Sequence, residues 1–299
     1  MCGSKHQAAI REALIRDGAV RLYVRAVGAG RPIVVVHGGP DFDHEYLLPE
    51  LDRLGEKFRV VYYDQRGRGR SFAGEQPGDV TIETEIADLD RVRAWTRSDT
   101  ITILGHSWGG LLAIEYAIAN PRRVSHLILM NTAPVSHAGA LAFRRALLAG
   151  RSSAQRKRMA ALASDSAFQR GDLEADAEYY RLHFGATFGS RDDLERLVGR
   201  LRKGFTSDGI VAARAIEDSL YGQTWRREDY DLTQRLRRLQ VRALVLGGQH
   251  DFIPADIGRD IASAIPGARL VVLSGCGHFA FLEQPSRVCA TIAEFLVAA

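Results

Sequence analysis

Residues 101–121 read ITILGHSWGGLLAIEYAIANP. The periodicity changes in the middle of this stretch. Ile101–Leu104 is a β-branched, nearly continuous apolar run, which is how a strand buried on both faces reads. Gly109–Ala119 is built of small and apolar residues and stops at Asn120-Pro121, a helix with a normal terminator. Between them lies Gly105-His106-Ser107-Trp108-Gly109, a G-x-S-x-G pentapeptide. Alone, this pattern is weak. Placed between a buried strand and a helix it acquires a mechanism. A serine presented on so sharp a turn needs glycines two before and two after it, because the neighbouring backbone passes too close for side chains. Ser107 is therefore a candidate nucleophile, and an ordinary strand-to-helix turn with an exposed serine is the competing reading.

The same two periods extend in both directions. Ile33–Val36 (IVVV), Val60–Tyr63 (VVYY), Leu127–Met130 (LILM), Ala243–Leu246 (ALVL) and Leu270–Leu273 (LVVL) are further short apolar runs bounded by turn residues. Helical patterns at Ile82–Arg97, Asp256–Ile265 and Ser286–Val297 alternate with them. Alternating strands and helices imply βαβ units and an α/β fold with a mostly parallel, doubly wound sheet. Ala19–Val27, with apolar residues at alternate positions, is expected to be an antiparallel edge strand. From Pro134 to Leu239 the alternation stops, and Arg- and Ala-rich helical patterns take over at Leu141–Leu148, Arg156–Ala163, Leu173–Phe184 and Asp192–Leu201. The expected organisation is a core over residues 1–134, an inserted helical cap or lid over 135–239, and the rest of the core over 240–299.

Composition narrows the function. The chain has 299 residues, 46% hydrophobic and 25% charged, so a disordered or fibrous protein is excluded. No apolar run approaches the roughly 18–20 residues of a membrane span. The N-terminal MCGSKHQAAIREALIRDG has no apolar stretch, so neither a secretory signal nor a lipid anchor at Cys2 is expected. Cys2, Cys276 and Cys289 cannot form a disulfide framework, which fits a cytoplasmic location. Forty Lys+Arg against 36 Asp+Glu leave a net charge of +4, with acids interspersed among the bases, so no nucleic-acid stripe is expected. The arginines of Asp64-Gln65-Arg66-Gly67-Arg68-Gly69-Arg70-Ser71, directly after VVYY, read as a structural turn.

A serine nucleophile needs a base, and the base needs an orienting acid. With the nucleophile on a strand-to-helix turn of a parallel sheet, the partners follow in the order serine, acid, histidine. Gly247-Gly248-Gln249-His250-Asp251 follows ALVL, and Ser274-Gly275-Cys276-Gly277-His278 follows LVVL. Both loops leave the C-terminal ends of strands, where ligands bind in open α/β sheets. Asp251 and His278 are the candidate acid and base. Asn131, after LILM, has no charge to serve as the acid. His6, His44, His126, His137, His183 and His250 are assigned surface or packing roles. For the oxyanion, the expected donors are the N–H of Trp108, which follows the serine, and that of Gly39 in His37-Gly38-Gly39-Pro40.

Taken with His37–Pro40, the DQRGRGRS turn, Ser107-Trp108-Gly109-Gly110 and the late Gly277-His278, the chain resembles the α/β-hydrolase superfamily from about residue 19 to residue 297. Within it, the chain is similar to the proline iminopeptidase-like group. That resemblance implies a serine hydrolase that uses no cofactor and no metal, with a cap over its site and acidic residues near the cap for a substrate's free N-terminal amine. Two features depart from the group. Asp41-Phe42-Asp43-His44-Glu45 stands where glycines follow the HGGP loop, and His106 stands where glycine precedes the serine. The group's aromatic–acid cap motif is only hinted at in Tyr221–Glu228. Asp41, Asp43, Glu45, Glu217, Asp218 and Glu283 are the carboxylates that could meet an amine. Gly38, Glu217, Trp225 and Glu283 are the candidate substrate contacts. The substrate expected is an N-terminal amino acyl amide, with an ester, amide, lactone or C–C bond substrate as the alternative. A hydrolase-fold ligand receptor with little turnover is a third reading. An epoxide hydrolase or dehalogenase would need Asp where Ser107 stands. The partner expected is a small molecule or short peptide, not nucleic acid or membrane, and a homo-oligomer stays open.

Overall fold

The computed structural model describes residues 9–298; Cys2 and His6 lie outside them. Eight strands form one sheet: β1 (Ile10–Asp17), β2 (Val20–Val27), β3 (Pro32–Val36), β4 (Arg59–Tyr63), β5 (Ile101–His106), β6 (Val124–Met130), β7 (Arg242–Gly248) and β8 (Arg269–Leu273). Their order is β1-β2-β4-β3-β5-β6-β7-β8. β3 to β8 run parallel, while β1 and β2 are antiparallel additions.

Period two explains how the sheet is buried. Val34, Val36, Leu127 and Leu129 join the core on one face, while Ile33, Val35, Ile128 and Met130 join the core on the other. Each of these side chains is fully buried. At about 1.5–3 kcal/mol per large apolar side chain, these central strands supply much of the force that closes the sheet.

Both edges differ from the sequence expectation. The Ala19–Val27 segment is antiparallel as β2 but is not the edge, because β1 pairs along its whole length. β1 (IREALIRD) is half-buried at best. A strand so open to water has no need of a clean apolar face, which is why its pattern hides it. β8 is the opposite edge: Leu270 and Val272 are exposed and only Leu273 is buried, so LVVL is not covered on both faces.

Two helices follow the central strands: α1 (Ile82–Thr96) and α2 (Trp108–Ala119). Between β6 and β7 the chain forms α3 (His137–Ala149), α4 (Ser153–Ala163), α5 (Ser166–Gln169), α6 (Leu173–Phe184), α7 (Arg191–Leu201), α8 (Ser207–Gln223) and α9 (Thr233–Leu236). α10 (Ala255–Ala264), α11 (Ala280–Glu283) and α12 (Pro285–Val297) complete the chain. The longest helix, α8, was not read from the sequence. Its buried stripe, Ile210, Ala213, Ile216 and Leu220, has helical spacing but is diluted by alanine and glycine.

Candidate active site

Ser107 is the residue between β5 and α2. Its backbone lies at φ 55°, ψ −120°, outside the regions comfortable for a side-chain-bearing residue. The surroundings impose this. A Cβ on Gly109 would sit 2.1 Å from the Val36 carbonyl oxygen, and one on Gly105 would sit 2.3 Å from the Gly109 carbonyl oxygen. The two glycines of the pentapeptide therefore answer to close backbone packing, and the turn they permit lifts Ser107 into a cavity.

His278 and Asp251 come together across the ends of β7 and β8. His278 Nδ1 lies 2.9 Å from Asp251 Oδ1, and both side chains are buried. The same Oδ1 accepts the Ile253 N–H at 2.8 Å, and Oδ2 accepts a hydrogen bond from Asn131 Nδ2 at 2.8 Å. The carboxylate is thus fixed from three sides, and its imidazole partner is held with Nδ1 protonated, which leaves Nε2 free to receive a proton. His278 lines the same cavity as Ser107, with the Phe252 ring tilted against it at 4.2 Å between centroids.

The loop opposite is braced by the turn after β4 and, through it, by α1. Gly39, at φ 116°, admits no side chain: a Cβ would lie 2.2 Å from the Asp41 nitrogen. Among the described residues the N–H groups of Gly39 and Trp108 have no protein acceptor, which leaves them available to an oxyanion. Gln65 Nε2 donates to the His37 carbonyl at 2.8 Å, and Arg68 Nε donates to the Pro40 carbonyl at 2.8 Å. Arg68, fully buried, pairs with Glu85 on α1, and Arg66 forks onto Asp88 at 2.8 and 2.7 Å. The DQRGRGRS turn is therefore a brace for the loop that carries Gly39.

His106, the departure from the group's glycine, has an explanation here. Tyr46 accepts the Gly38 N–H at 2.7 Å and donates to His106 Nδ1 at 2.7 Å. His106 Nε2 then donates to the His278 carbonyl at 3.1 Å. Burial, and next the nearby His278, hold the His106 pKa well below its ordinary value, so the ring is neutral and serves as a relay between the two loops.

The cavity is about 650 Å³ and is walled by both the sheet ends and the helical insertion. Aromatic rings dominate it. Trp225 stacks on Tyr221 at 4.8 Å and meets Trp108 edge-on. Two of the six candidate carboxylates reach the cavity, Asp41 and Glu217. Asp41 is already engaged by Arg202 Nη2 and Tyr180 Oη, each at 2.6 Å. Among the described residues Glu217 accepts only the Tyr221 hydroxyl, at 2.7 Å. Burial, and next the negative charge of Asp41, push the Glu217 pKa up to about 8.

Other expected contacts fall elsewhere. Glu283 is outside the cavity lining and binds the Gly277 N–H at 3.0 and 3.2 Å, steadying the loop that carries His278. The Gly38 N–H is taken by Tyr46, and a Cβ at Gly38 would press on Ser107 Cβ at 3.0 Å, so this glycine packs under the serine and does not line the cavity. Glu45 pairs with Arg70 at 2.6 Å, and Asp218 pairs with Arg226. Asp43 is buried next to Asp64. Asn131, Tyr46 and His106 are the participants that sequence reasoning missed. Asn131 did carry a signal: it directly follows β6, the same strand-end position that singled out Asp251 and His278.

Comparison with known proteins identifies the fold and the family. A family model described as alpha/beta hydrolase fold matches residues 31–285. The proline iminopeptidase of Saccharolobus solfataricus is 28% identical over 280 residues, covering 92% of this chain and 87% of that protein. The proline iminopeptidase of Lactobacillus delbrueckii subsp. lactis is 28% identical over 300 residues, covering 96% and 98%. Among solved structures, a thermophilic esterase from Thermogutta terrifontis matches with a TM-score of 0.69 at 25% identity, covering 96% of this chain and 98% of that one. Proline iminopeptidase from Mycobacterium smegmatis matches in fold with a TM-score of 0.70 at 23% identity, covering 96% and 97%.

Proposed function

The chain belongs to the alpha/beta hydrolase family, and from that premise we propose that it is a serine hydrolase cleaving N-terminal amino acyl amides through an acyl-enzyme. Ser107 attacks the carbonyl carbon. His278 takes the serine proton and returns it to the leaving amine, and Asp251 orients the imidazole and stabilises its cation. The Gly39 and Trp108 N–H groups receive the oxyanion, each worth about 3–4 kcal/mol in the transition state. Water, activated by the same histidine, then releases the acid. The observation that carries the reading is the strained Ser107 turn sharing a cavity with the His278–Asp251 pair.

The similarity to proline iminopeptidases and the position of Glu217 support a free-amine substrate. Glu217 holds its proton until about pH 8. An ammonium beside it would favour the carboxylate, so amine capture is linked to proton release. KM for amine substrates is then expected to fall as pH rises towards 8. The likeness to an esterase and the apolar walls favour a second reading, hydrolysis of short acyl esters. The test is a panel of Pro-, Ala- and Leu-naphthylamides, their N-acetylated forms and short acyl esters, with fluorophosphonate labelling of the wild type and Ser107→Ala. Stoichiometric labelling lost in the variant, with a preference for the free amine, is the expected result. Labelling without amine preference supports the esterase, and absence of labelling in folded protein overturns the serine mechanism.

A further inference from the structure

We propose that the cavity holds a cationic subsite, formed by Arg151 and His183, that takes a carboxylate on the substrate; this rests on the hydrolase reading of the same cavity. His137, Ala140, Arg144, Leu147 and Arg151 recur at three- and four-residue intervals along and just past α3, so one helical face runs along the cavity wall and ends at Arg151. Arg151 Nε and Nη2 are buried with no hydrogen-bond partner, and so is His183 Nδ1. Three other arginines of the insertion are neutralised, Arg202 by Asp41 and Asp176, Arg214 by Asp176, and Arg226 by Asp218, whereas Arg144, on the same cavity wall, has no ion pair among the described residues. Among the described residues Arg151 has no such acid.

Arg151 is half-buried, but leaving buried guanidinium nitrogens without an acceptor is costly, and the planar fork matches a carboxylate. Burial pushes the Arg151 pKa down, the direction expected of a cation that lacks its anion. His183 is kept neutral by burial, and next by the Arg151 charge, with its pKa down to about 3, so it offers one N–H without a competing charge. The subsite is close to the chemistry. The His183 ring is 6.3 Å from that of Phe252, which packs tilted against His278 at 4.2 Å. A carboxylate held there would share the cavity with the carbonyl under attack. The substrate class is therefore an amide or ester that also carries a free carboxylate, on its leaving group or at the far end of its acyl chain.

Two matched pairs distinguish these sources: Pro-Gly against Pro-Gly amide, and mono-4-nitrophenyl adipate against 4-nitrophenyl hexanoate. In one pair the acid is expected to be favoured about 10- to 100-fold in kcat/KM. That ratio should collapse towards one in Arg151→Met and be partly kept in Arg151→Lys. Equal or better turnover of the neutral member in both pairs, or a ratio unchanged in Arg151→Met, overturns the subsite. Active sites are counted by fluorophosphonate, so a misfolded variant is recognised. Calorimetry on Ser107→Ala reads the subsite without turnover. Tighter binding of adipate than of adipamide, lost when Arg151→Met is added, supports it even if the hydrolase reading fails, and equal binding refutes it.

Discussion

Asn131 follows β6 at φ 50° and gives its amide N–H groups to Asp251 Oδ2 and, at 3.2 Å, to the Gly277 carbonyl. It ties the candidate acid to the loop of the candidate base. A hydrogen bond to a charged group contributes about 1.5–3 kcal/mol. Glycine tolerates the left-handed backbone here, so Asn131→Gly removes the amide without adding strain. The expected result is a fall of about tenfold or more in kcat per titrated active site, with KM little changed. A residue with a merely structural role would lower the number of titratable sites and leave kcat per site intact. Ser107 and the glycines around it show the other side of the residue scale. Their identities follow from contacts within one turn, and a single sequence displays them.

At the scale of elements, the turn after β4 and helix α1 act together. Arg68 is fully buried, and so is Glu85 on α1. Burial, ahead of the opposing Arg68 charge, still raises the Glu85 pKa. Removing one partner of a buried ion pair leaves an uncompensated charge and costs about 3–5 kcal/mol. Arg68→Met is expected to lose that much in urea unfolding at pH 8 and less at pH 5, where Glu85 can hold a proton. Because Arg68 also supports the Pro40 carbonyl, the variant should slow fluorophosphonate labelling of Ser107 as well. The arginine-rich turn was legible as structural from its place after a strand. Its partner on α1 was not, because Glu85 looks like any acid in the first turns of a helix.

For the whole molecule, buried carboxyl groups set the pH response. Asp43 is fully buried, one of its oxygens has no partner, and burial, then the neighbouring Asp64 charge, raises its pKa from 3.8 to about 8. The folded chain keeps this proton where the unfolded chain has lost it. Its contribution is therefore fully present below the unfolded pKa and is lost as pH rises through the folded one. Asp43→Asn, which mimics the protonated form, should raise the melting temperature at pH 8. The difference from wild type should vanish near pH 4. What the sequence determined by itself was the parallel run of strands at the centre of the sheet, the sharp turn at Ser107 and the serine–acid–histidine order of the candidates. All three depend on local periodicity and on loops that directly follow strands. Only the tertiary structure decided which charges meet. Asn131 and Asp251 are 120 residues apart, and Asp41 and Arg202 are 161 apart. Whether a carboxylate faces the cavity, as Glu217 does, or is neutralised elsewhere, as Glu45 and Asp218 are, depends on how the helical insertion packs over the sheet ends. Periodicity marks which face of a helix is buried, but not what that face meets.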